Sequence, residues 1–252
     1  MSATAPNYSS KLPAFTPNML ASMTDAELSR LLEIHRELDR LSSRRKIDDF
    51  YPDEGPHRRE LYVKHCEFFA LGSEHKERCL LGGNRSGKSV AGAYEVTLHL
   101  TGEYPHWWNG RRFDKPIQVL IAGDTAKTSR DILQQKMLGN PGDYGTGMIP
   151  ADLILRTAPK SGIPDAVETI HVKHVSGGTS ICQINSYDQG REAFQGTERD
   201  VVWLDEECPD SVYTEALMRT MTTDGMVILT FTPLRGLTPL VMSFLPDMQV
   251  AA

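Results

Sequence analysis

A glycine-rich run, residues 82–89, narrows the choice of folds sharply. It reads G-x-x-x-x-G-K-S, with a short apolar run at 78–81 before it and a helix-like run at 90–98 after it. This order predicts a phosphate-binding loop, because glycines let backbone N–H groups approach phosphate oxygens at a helix N-terminus. Lys88 would reach the β- and γ-phosphates and the Ser89 hydroxyl would bind Mg²⁺; the alternative is a glycine-rich turn that matches by accident. The predicted nucleotide-binding residues are Gly82, Gly83, Asn84, Arg85, Ser86, Gly87, Lys88 and Ser89.

A second signal is an apolar run that ends in acids at residues 200–207. Such a run is typical of a strand buried on both faces of a parallel sheet. Asp205 would hold Mg²⁺ opposite Ser89, and Glu206 would orient and polarise the water that attacks the γ-phosphate. Glu207 has no required role in this hypothesis. A solvated acidic turn is the alternative interpretation.

The composition is that of one sizeable α/β domain with an appendage. The chain has 252 residues, 40% of them hydrophobic. It has no apolar run near the roughly 20 residues that a membrane span needs and no signal-peptide pattern at its start, which predicts an intracellular protein. The cysteines show no metal-binding spacing, so buried free thiols are expected. The net charge of -6 makes static nucleic-acid binding unfavourable, so any contact with DNA should be local or transient.

We predict three zones along the chain. Residues 1–17 resemble a flexible arm, residues 18–55 a helical appendage with a linker, and residues 56–246 the main domain. Thr24 and Glu27 form a capping box, followed by leucines at helical spacing. We expect this helix to dock along one stripe, either on its own domain, on a neighbouring copy or on a partner protein.

The main domain alternates strands and helices. Strands are predicted at 117–123 and 226–233, helices at 125–138 and 213–221, and an antiparallel pair at 167–173 and 179–185. A strand between the glycine-loop strand and the acidic strand, together with Glu206, predicts an α/β fold of the P-loop NTPase class, of the additional-strand, catalytic-glutamate type. Its sheet would be doubly wound and mostly parallel, with an N-terminal helical appendage.

Two further residues are candidates for the site. Thr230 ends a core strand, where its hydroxyl could bind the attacking water or Glu206; a plain β-branched strand residue is the alternative. Tyr62 precedes the glycine loop at a distance from which a ring could stack on adenine. A core aromatic residue is the commoner fate of such a tyrosine.

These motifs together resemble the N-terminal packaging ATPase domain of the tailed-bacteriophage terminase large subunits. The resemblance rests on GGNRSGKS with Arg85 inside the loop, the acidic strand VVWLDEE, the segments FQGT and LTFTP, and the upstream run HRRELYVKH. It implies an ATP- and Mg²⁺-dependent motor that moves double-stranded viral DNA into a preformed capsid in the host cytoplasm. The implied partners are DNA, held transiently, the portal protein and a small terminase subunit.

The resemblance also implies roles for individual residues. Arg85 would sense the γ-phosphate, Thr230 would couple hydrolysis to movement, and Glu206 would be the catalytic carboxylate. Relatives often place an arginine where this chain has Gln195, so Arg191 and Arg199 are substitute candidates for an arginine inserted into a neighbouring subunit of a homo-oligomeric ring.

The clustered acids of the family's C-terminal nuclease domain are not expected in this chain. The alternatives to a packaging motor are a helicase-like translocase, which should show paired domains, and a nucleotide-switched assembly module with little turnover.

Overall fold

The computed structural model describes residues 16–245, in which one sheet of seven strands organises the fold. The spatial order of its strands is β1-β7-β6-β2-β5-β4-β3. The strands are β1 (Glu77–Leu81), β2 (Gln118–Gly123), β3 (Ile154–Pro159), β4 (Val167–His174), β5 (Gly178–Ser186), β6 (Val201–Asp205) and β7 (Met226–Phe231). The predicted arm, residues 1–17, lies almost entirely outside the described residues.

Helices surround this sheet. The α-helices are α1 (Pro17–Ala21), α2 (Asp25–Ser43), α3 (Val63–Ala70), α4 (Lys88–Thr101), α5 (Ala126–Thr128), α6 (Gln135–Leu138), α7 (Asp210–Met221) and α8 (Pro239–Ser243). A π-helical segment, Ser129–Gln134, joins α5 to α6, so the predicted helix at 125–138 is present with a widened middle turn. Short 3₁₀ turns complete the chain at Lys46–Asp49, Arg59–Leu61, Leu71–Ser73, Ala151–Leu153, Tyr187–Gln189 and Arg191–Phe194.

The five strands β1, β7, β6, β2 and β5 pair in parallel. Strand β7 lies between the glycine-loop strand β1 and the acidic strand β6, which confirms the additional-strand arrangement. Parallel strands place all their carboxyl ends at one edge of the sheet. Residues far apart in sequence, at the ends of β1, β6 and β7, therefore meet there, and ligands bind at this edge in open α/β sheets.

Both faces of the parallel sheet are covered, as a doubly wound fold requires. Alternate residues of β6 point to opposite faces: Trp203 packs under α4, whereas Leu204 belongs to the core that includes Val212 of α7. The α4 side is tightly packed, because a Cβ atom at Gly92 would lie 2.4 Å from the Trp203 ring. This close approach fixes the start of α4 relative to the end of β6.

The antiparallel pair predicted at 167–173 and 179–185 is confirmed as β4 and β5. A third antiparallel strand, β3, is not among the predicted elements; it pairs with β4 at the edge of the sheet. Strand β3 is only half-buried, ends at Pro159 and has irregular register. It was not predicted because its sequence lacks the apolar alternation that marks a strand.

The N-terminal appendage differs from its prediction in two ways. Helix α2 starts at the predicted Thr24 capping box but has no buried residue, so it does not dock along a stripe of its own domain. The predicted linker is part of the core at Ile47 and Tyr51, which are 7% and 2% exposed. Tyr51 packs edge-on against Phe69 and Tyr94, so the segment before Pro52 contacts the main domain. Within residues 16–245 no helix is long and apolar enough to cross a membrane.

Candidate active site

The glycine loop joins β1 to α4 at the carboxyl edge of the sheet. Two of its residues, Arg85 and Gly87, have left-handed backbone, with φ of 64° and 84°. Left-handed residues turn successive N–H groups toward a common centre, the arrangement that binds anions. Glycine suits the left-handed position of Gly87, and a Cβ atom there would also lie 3.0 Å from the His65 ring, a tight contact. The Arg85 side chain is exposed at the rim of the loop.

Lys88 begins α4, and its side chain is buried. Its Nζ donates hydrogen bonds to the Gly83 carbonyl oxygen at 2.8 Å and to Thr232 Oγ1 at 2.9 Å. The Thr232 hydroxyl lies in turn 2.9 Å from the Gly82 carbonyl oxygen. The ammonium group is therefore held across the mouth of the loop, where phosphate oxygens could replace these neutral acceptors.

Thr232 is a site residue that the sequence analysis missed. It follows β7 two positions after Thr230, and side chains two apart on an extended chain point to the same side. The second threonine of the LTFTP segment is the signal that could have identified it.

Asp205 lies near Ser89 at the end of β6. Its side chain is 4% exposed, and the Ser89 hydroxyl acts on its carboxylate. Burial raises the pKa of the Asp205 carboxyl to about 6, although the hydrogen bonds from Thr230 and Ser89 lower it. A hydroxyl and a carboxylate are the hard oxygen ligands that Mg²⁺ prefers, and Mg²⁺ commonly takes its other ligands from phosphate and water. Across residues 16–245 no cluster of three or more His, Cys, Asp or Glu offers a competing metal site.

Glu206 directly follows β6 and has left-handed backbone, with φ of 66°. This conformation costs roughly 1–2 kcal/mol in a residue other than glycine, and a hydrogen bond of 2.9 Å from its N–H to the Thr230 carbonyl oxygen helps to hold it. Burial raises the pKa of the Glu206 carboxyl, the charge of Lys88 lowers it and that of Asp124 raises it. A carboxylate with a raised pKa beside the phosphate loop is suited to accept a proton from water.

Thr230 has a different neighbourhood from the one predicted. Its hydroxyl is buried, donates to Asp205 Oδ1 at 2.6 Å and accepts from Trp203 Nε1 at 2.7 Å. The hydroxyl thus donates to Asp205 rather than to Glu206 in this structure, because Thr230 lies directly opposite Asp205 where β7 pairs with β6. Its predicted contact with the attacking water stays a prediction. In this structure Thr230 orients the carboxylate of Asp205.

We expect Thr230→Val to destabilise the fold. The substitution leaves Trp203 Nε1 and Asp205 Oδ1 without this partner in a buried place, which costs about 1–3 kcal/mol per unpaired group. The free energy of unfolding in urea measures the effect. Thr232→Val is the matched control, because Thr232 is only half-buried, and its loss should be smaller. Equal losses in the two variants would contradict the orienting role of Thr230.

Tyr62 is connected to the glycine loop by a second residue, His65, which contacts both. The Tyr62 ring stacks on the His65 ring with centroids 5.5 Å apart. His65 Nε2 lies 3.1 Å from the Ser86 carbonyl oxygen, and its Nδ1 lies 3.0 Å from the Tyr51 hydroxyl. His65 thus donates to the loop and accepts from Tyr51, a buttress that sequence reasoning missed although it lies in the HRRELYVKH run. Tyr62 is half-buried, and its contact with adenine stays a prediction.

The two candidate trans arginines have different positions. Arg199 is 8% exposed and hydrogen-bonds to Gln183. It precedes β6, whereas Asp205 is the last residue of that strand, so the two residues lie at opposite ends of the strand. A buried side chain at that end of the strand has no free guanidinium to offer a neighbour, so we favour Arg191 as the candidate. The proximity of Arg199 to the acidic strand in sequence could not show which end it occupies.

Arg191 follows β5 and therefore lies toward the carboxyl edge. Its side chain is half-exposed, and its Nε donates to Glu215 Oε2 at 2.9 Å. Burial acts to raise the pKa of the Glu215 carboxyl, but hydrogen bonds from Arg191 and Arg219 outweigh it and lower that pKa. Because Arg219 also binds Glu215, release of Arg191 would leave this carboxylate with a cationic partner.

A phosphate loop after β1, an acidic turn after β6 and an intervening β7 define a P-loop NTPase fold of the additional-strand type. Sequence comparison refines this class. A family described as "Terminase large subunit, T4likevirus-type, N-terminal" matches residues 79–250. The chain belongs to the terminase large subunit family.

The curated proteins include a relative that matches almost the whole chain. The terminase large subunit of Salmonella phage P22 is 35% identical over 249 residues, covering 91% of this chain and 48% of that protein. The chain therefore spans about half the length of this relative.

Two solved structures of the large terminase from a thermophilic bacteriophage overlap with part of the fold. Crystal form 2 of that protein matches with a TM-score of 0.45 and 12% identity, over 67% of this chain and 37% of that one. The complex of the same protein with ADP, in crystal form 3, matches with a TM-score of 0.42 and 16% identity, over 68% and 37%. The family assignment rests on the sequence matches.

Proposed function

We propose that this chain is the ATP-hydrolysing motor domain that drives double-stranded viral DNA into a procapsid. The observation that carries the proposal is the meeting of Lys88, Ser89, Asp205 and Glu206 at one edge of the sheet. Each of these groups has a place in phosphoryl transfer to water. Family membership supplies the biological context of that chemistry.

The four side chains divide the chemistry between them. Lys88 places a positive charge against the β- and γ-phosphates, where negative charge is spread in the transition state. Ser89 and Asp205 would hold Mg²⁺, which neutralises phosphate charge when it is bound. Glu206, whose carboxyl feels the charge of Lys88, would accept the proton of the attacking water. Arg85, exposed on the loop, would sense the γ-phosphate.

The proposal includes partners and cellular location. The active form would be a homo-oligomeric ring on the portal protein, supplied with DNA by a small terminase subunit in the host cytoplasm. DNA would be held transiently, in agreement with the net charge of -6. We place the start of the ATPase domain near Ile47 rather than at residue 56, because Ile47 and Tyr51 are part of its core. No nuclease chemistry is proposed for this chain.

ATP turnover with and without double-stranded DNA tests this function. A motor domain should release phosphate from ATP, with a rate that DNA increases. Binding of ATP with no measurable release would instead favour a nucleotide-switched assembly module. Stimulation by single-stranded but not by double-stranded nucleic acid would favour a helicase-like translocase.

Ring assembly should make hydrolysis depend on protein concentration. An arginine donated by a neighbouring subunit contributes about 10³- to 10⁵-fold in rate where such a residue has been assigned. We expect the specific activity of the parent protein to rise with concentration, and Arg191→Ala to abolish this rise without changing ATP affinity. Phosphate release over a dilution series measures both.

Arg219→Ala is the matched control for that experiment. It removes the other cation from Glu215, so any effect of disturbing Glu215 would appear in both variants. Only Arg191→Ala should lose the concentration dependence. A parent protein whose specific activity is high and constant over the series would contradict the trans arginine and favour Arg85 acting within one subunit.

A further inference from the structure

A buried tyrosine, Tyr187, contacts the backbone of the acidic turn, residues 205–207, at the end of β6. Tyr187 opens the 3₁₀ turn after β5 and is 7% exposed. Its hydroxyl oxygen lies 2.8 Å from the Asp205 carbonyl oxygen, 3.2 Å from that of Glu206 and 3.3 Å from that of Ala122. Three backbone carbonyl groups at the ends of two neighbouring strands therefore converge on a single side-chain hydroxyl.

The hydroxyl acts here as a donor. Its three polar neighbours are carbonyl oxygens, which can only accept a hydrogen bond. A phenol has one proton, and the Asp205 carbonyl oxygen is the nearest acceptor. The hydrogen bond thus fixes the peptide group that joins Asp205 to Glu206.

The position of this hydrogen bond matters because the next residue along the chain is Glu206. Glu206 adopts left-handed backbone, a conformation that side chains with a Cβ atom rarely adopt. Its N–H is held by the Thr230 carbonyl oxygen of the neighbouring strand β7. The Tyr187 hydroxyl holds the same peptide group through its carbonyl oxygen. Both polar atoms of the peptide before Glu206 are therefore anchored.

Tyr187 is itself fixed in place. The Ser186 N–H donates to Gln189 Oε1 at 3.0 Å and closes the turn around the tyrosine. The Tyr187 ring packs 6.4 Å from that of Phe194, in the core on the α7 side of the sheet. Lys88 and Ser89 lie at the start of α4, which covers the other face. The tyrosine thus reaches the site only through the backbone of the acidic turn.

We propose that Tyr187 is a positioning residue for ATP hydrolysis: it locks the turn after β6 so that the Glu206 carboxylate points at the attacking water. This inference rests on the proposed function, in which Glu206 is the proton acceptor. It predicts that loss of the hydroxyl slows the chemical step and leaves nucleotide binding intact, since the groups that bind phosphate lie on the glycine loop.

Tyr187→Phe tests the inference, because phenylalanine keeps the buried ring and removes only the hydroxyl. We expect kcat to fall about tenfold, the effect of one well-placed hydrogen bond, with KM within about twofold of the parent value. Tyr213→Phe is the matched control. Its hydroxyl donates to Glu77 at the start of β1, at the opposite edge of the sheet, and its kcat should stay at the parent value.

Hydrogen exchange gives a readout that does not depend on activity. In the nucleotide-free protein, the amides of residues 201–208 should exchange about tenfold faster in Tyr187→Phe than in the parent or in Tyr213→Phe, because one backbone anchor is lost. Faster exchange throughout the sheet, with a lower melting temperature, would overturn the inference, since the tyrosine would then be only a core residue. Unchanged kcat together with unchanged exchange would overturn it as well.

A double variant separates this inference from the proposed function. If Tyr187 acts through Glu206, adding Tyr187→Phe to Glu206→Gln should leave the residual single-turnover rate unchanged. A further tenfold loss in the double variant would overturn the inference while leaving Glu206 as the catalytic group. If Glu206→Gln alone retains the parent rate, the catalytic role of Glu206 in the proposed function fails, and faster exchange at residues 201–208 in Tyr187→Phe then still shows whether the tyrosine locks the turn.

Discussion

Glu206→Gln should lower the rate of ATP hydrolysis by about 10²- to 10⁴-fold, the usual contribution of a positioned general base. Glutamine has the same shape, so the left-handed turn and its hydrogen bond to Thr230 should persist. An amide cannot accept the proton of the attacking water. ATP affinity should stay within about twofold, because the phosphate-binding groups lie on the glycine loop. Phosphate release and calorimetry with a slowly hydrolysed ATP analogue measure the two quantities.

Glu207→Gln is the matched control for this prediction. Glu207 is the next residue in the acidic turn, but its Oε1 accepts a hydrogen bond of 2.7 Å from Thr238, away from the glycine loop. The same change of charge, one position along, should therefore leave hydrolysis near the parent rate. Parent-like turnover in Glu206→Gln, or an equal loss in both variants, would show that the catalytic carboxylate lies elsewhere.

The two halves of the site could be predicted because each is a contiguous pattern. The spacing of Gly82, Gly87 and Lys88 identifies the glycine loop. An abrupt change from apolar residues to Asp205 and Glu206 identifies the acidic strand. Parallel pairing then forces both patterns to the same edge of the sheet. In the structure Ser89 and Asp205 lie near each other, while their joint binding of Mg²⁺ stays a prediction.

The supporting residues could not be predicted, because their importance depends on tertiary contacts. Thr232 contacts Lys88 across 144 positions of the sequence, and His65 contacts Ser86 across 21. Tyr187 belongs to a turn whose sequence carries no catalytic motif. The sequence places Tyr51 in a linker because proline and glycine follow it, although the aromatic rings that surround it come from distant segments. Local patterns locate reactive groups but not the groups that hold them.

The added strand explains how the two halves of the site are connected. Strand β7 pairs with β1 on one side and with β6 on the other. Thr230, near its end, hydrogen-bonds to Asp205, and Thr232, two residues on, hydrogen-bonds to Lys88. A shift of Lys88 or of Asp205 would therefore be transmitted to the other through a single short segment. This arrangement gives the LTFTP segment a physical basis for a coupling role, which stays a prediction.

Lys88→Ala should reduce the affinity for ATP about 100-fold, which corresponds to about 3 kcal/mol and is the upper range for a hydrogen bond to a charged group. In this structure the ammonium group lies between the Gly83 carbonyl oxygen and the Thr232 hydroxyl, at the mouth of the loop. Alanine removes the long cationic side chain at the start of α4, so phosphate oxygens lose a charge-assisted hydrogen bond. Calorimetric titration with ATP and Mg²⁺ measures the loss.

Lys127→Ala separates this local effect from the change in net charge. Lys127 lies on α5, which follows β2 at the same edge of the sheet, and its removal changes the charge of the protein by the same amount. Its affinity for ATP should stay within about twofold of the parent value, because a lysine outside the loop attracts phosphate weakly through screened charge. Parent-like affinity in Lys88→Ala would contradict the phosphate-loop assignment. An equal loss in both variants would mean that overall charge, rather than the geometry of the loop, governs binding of the nucleotide.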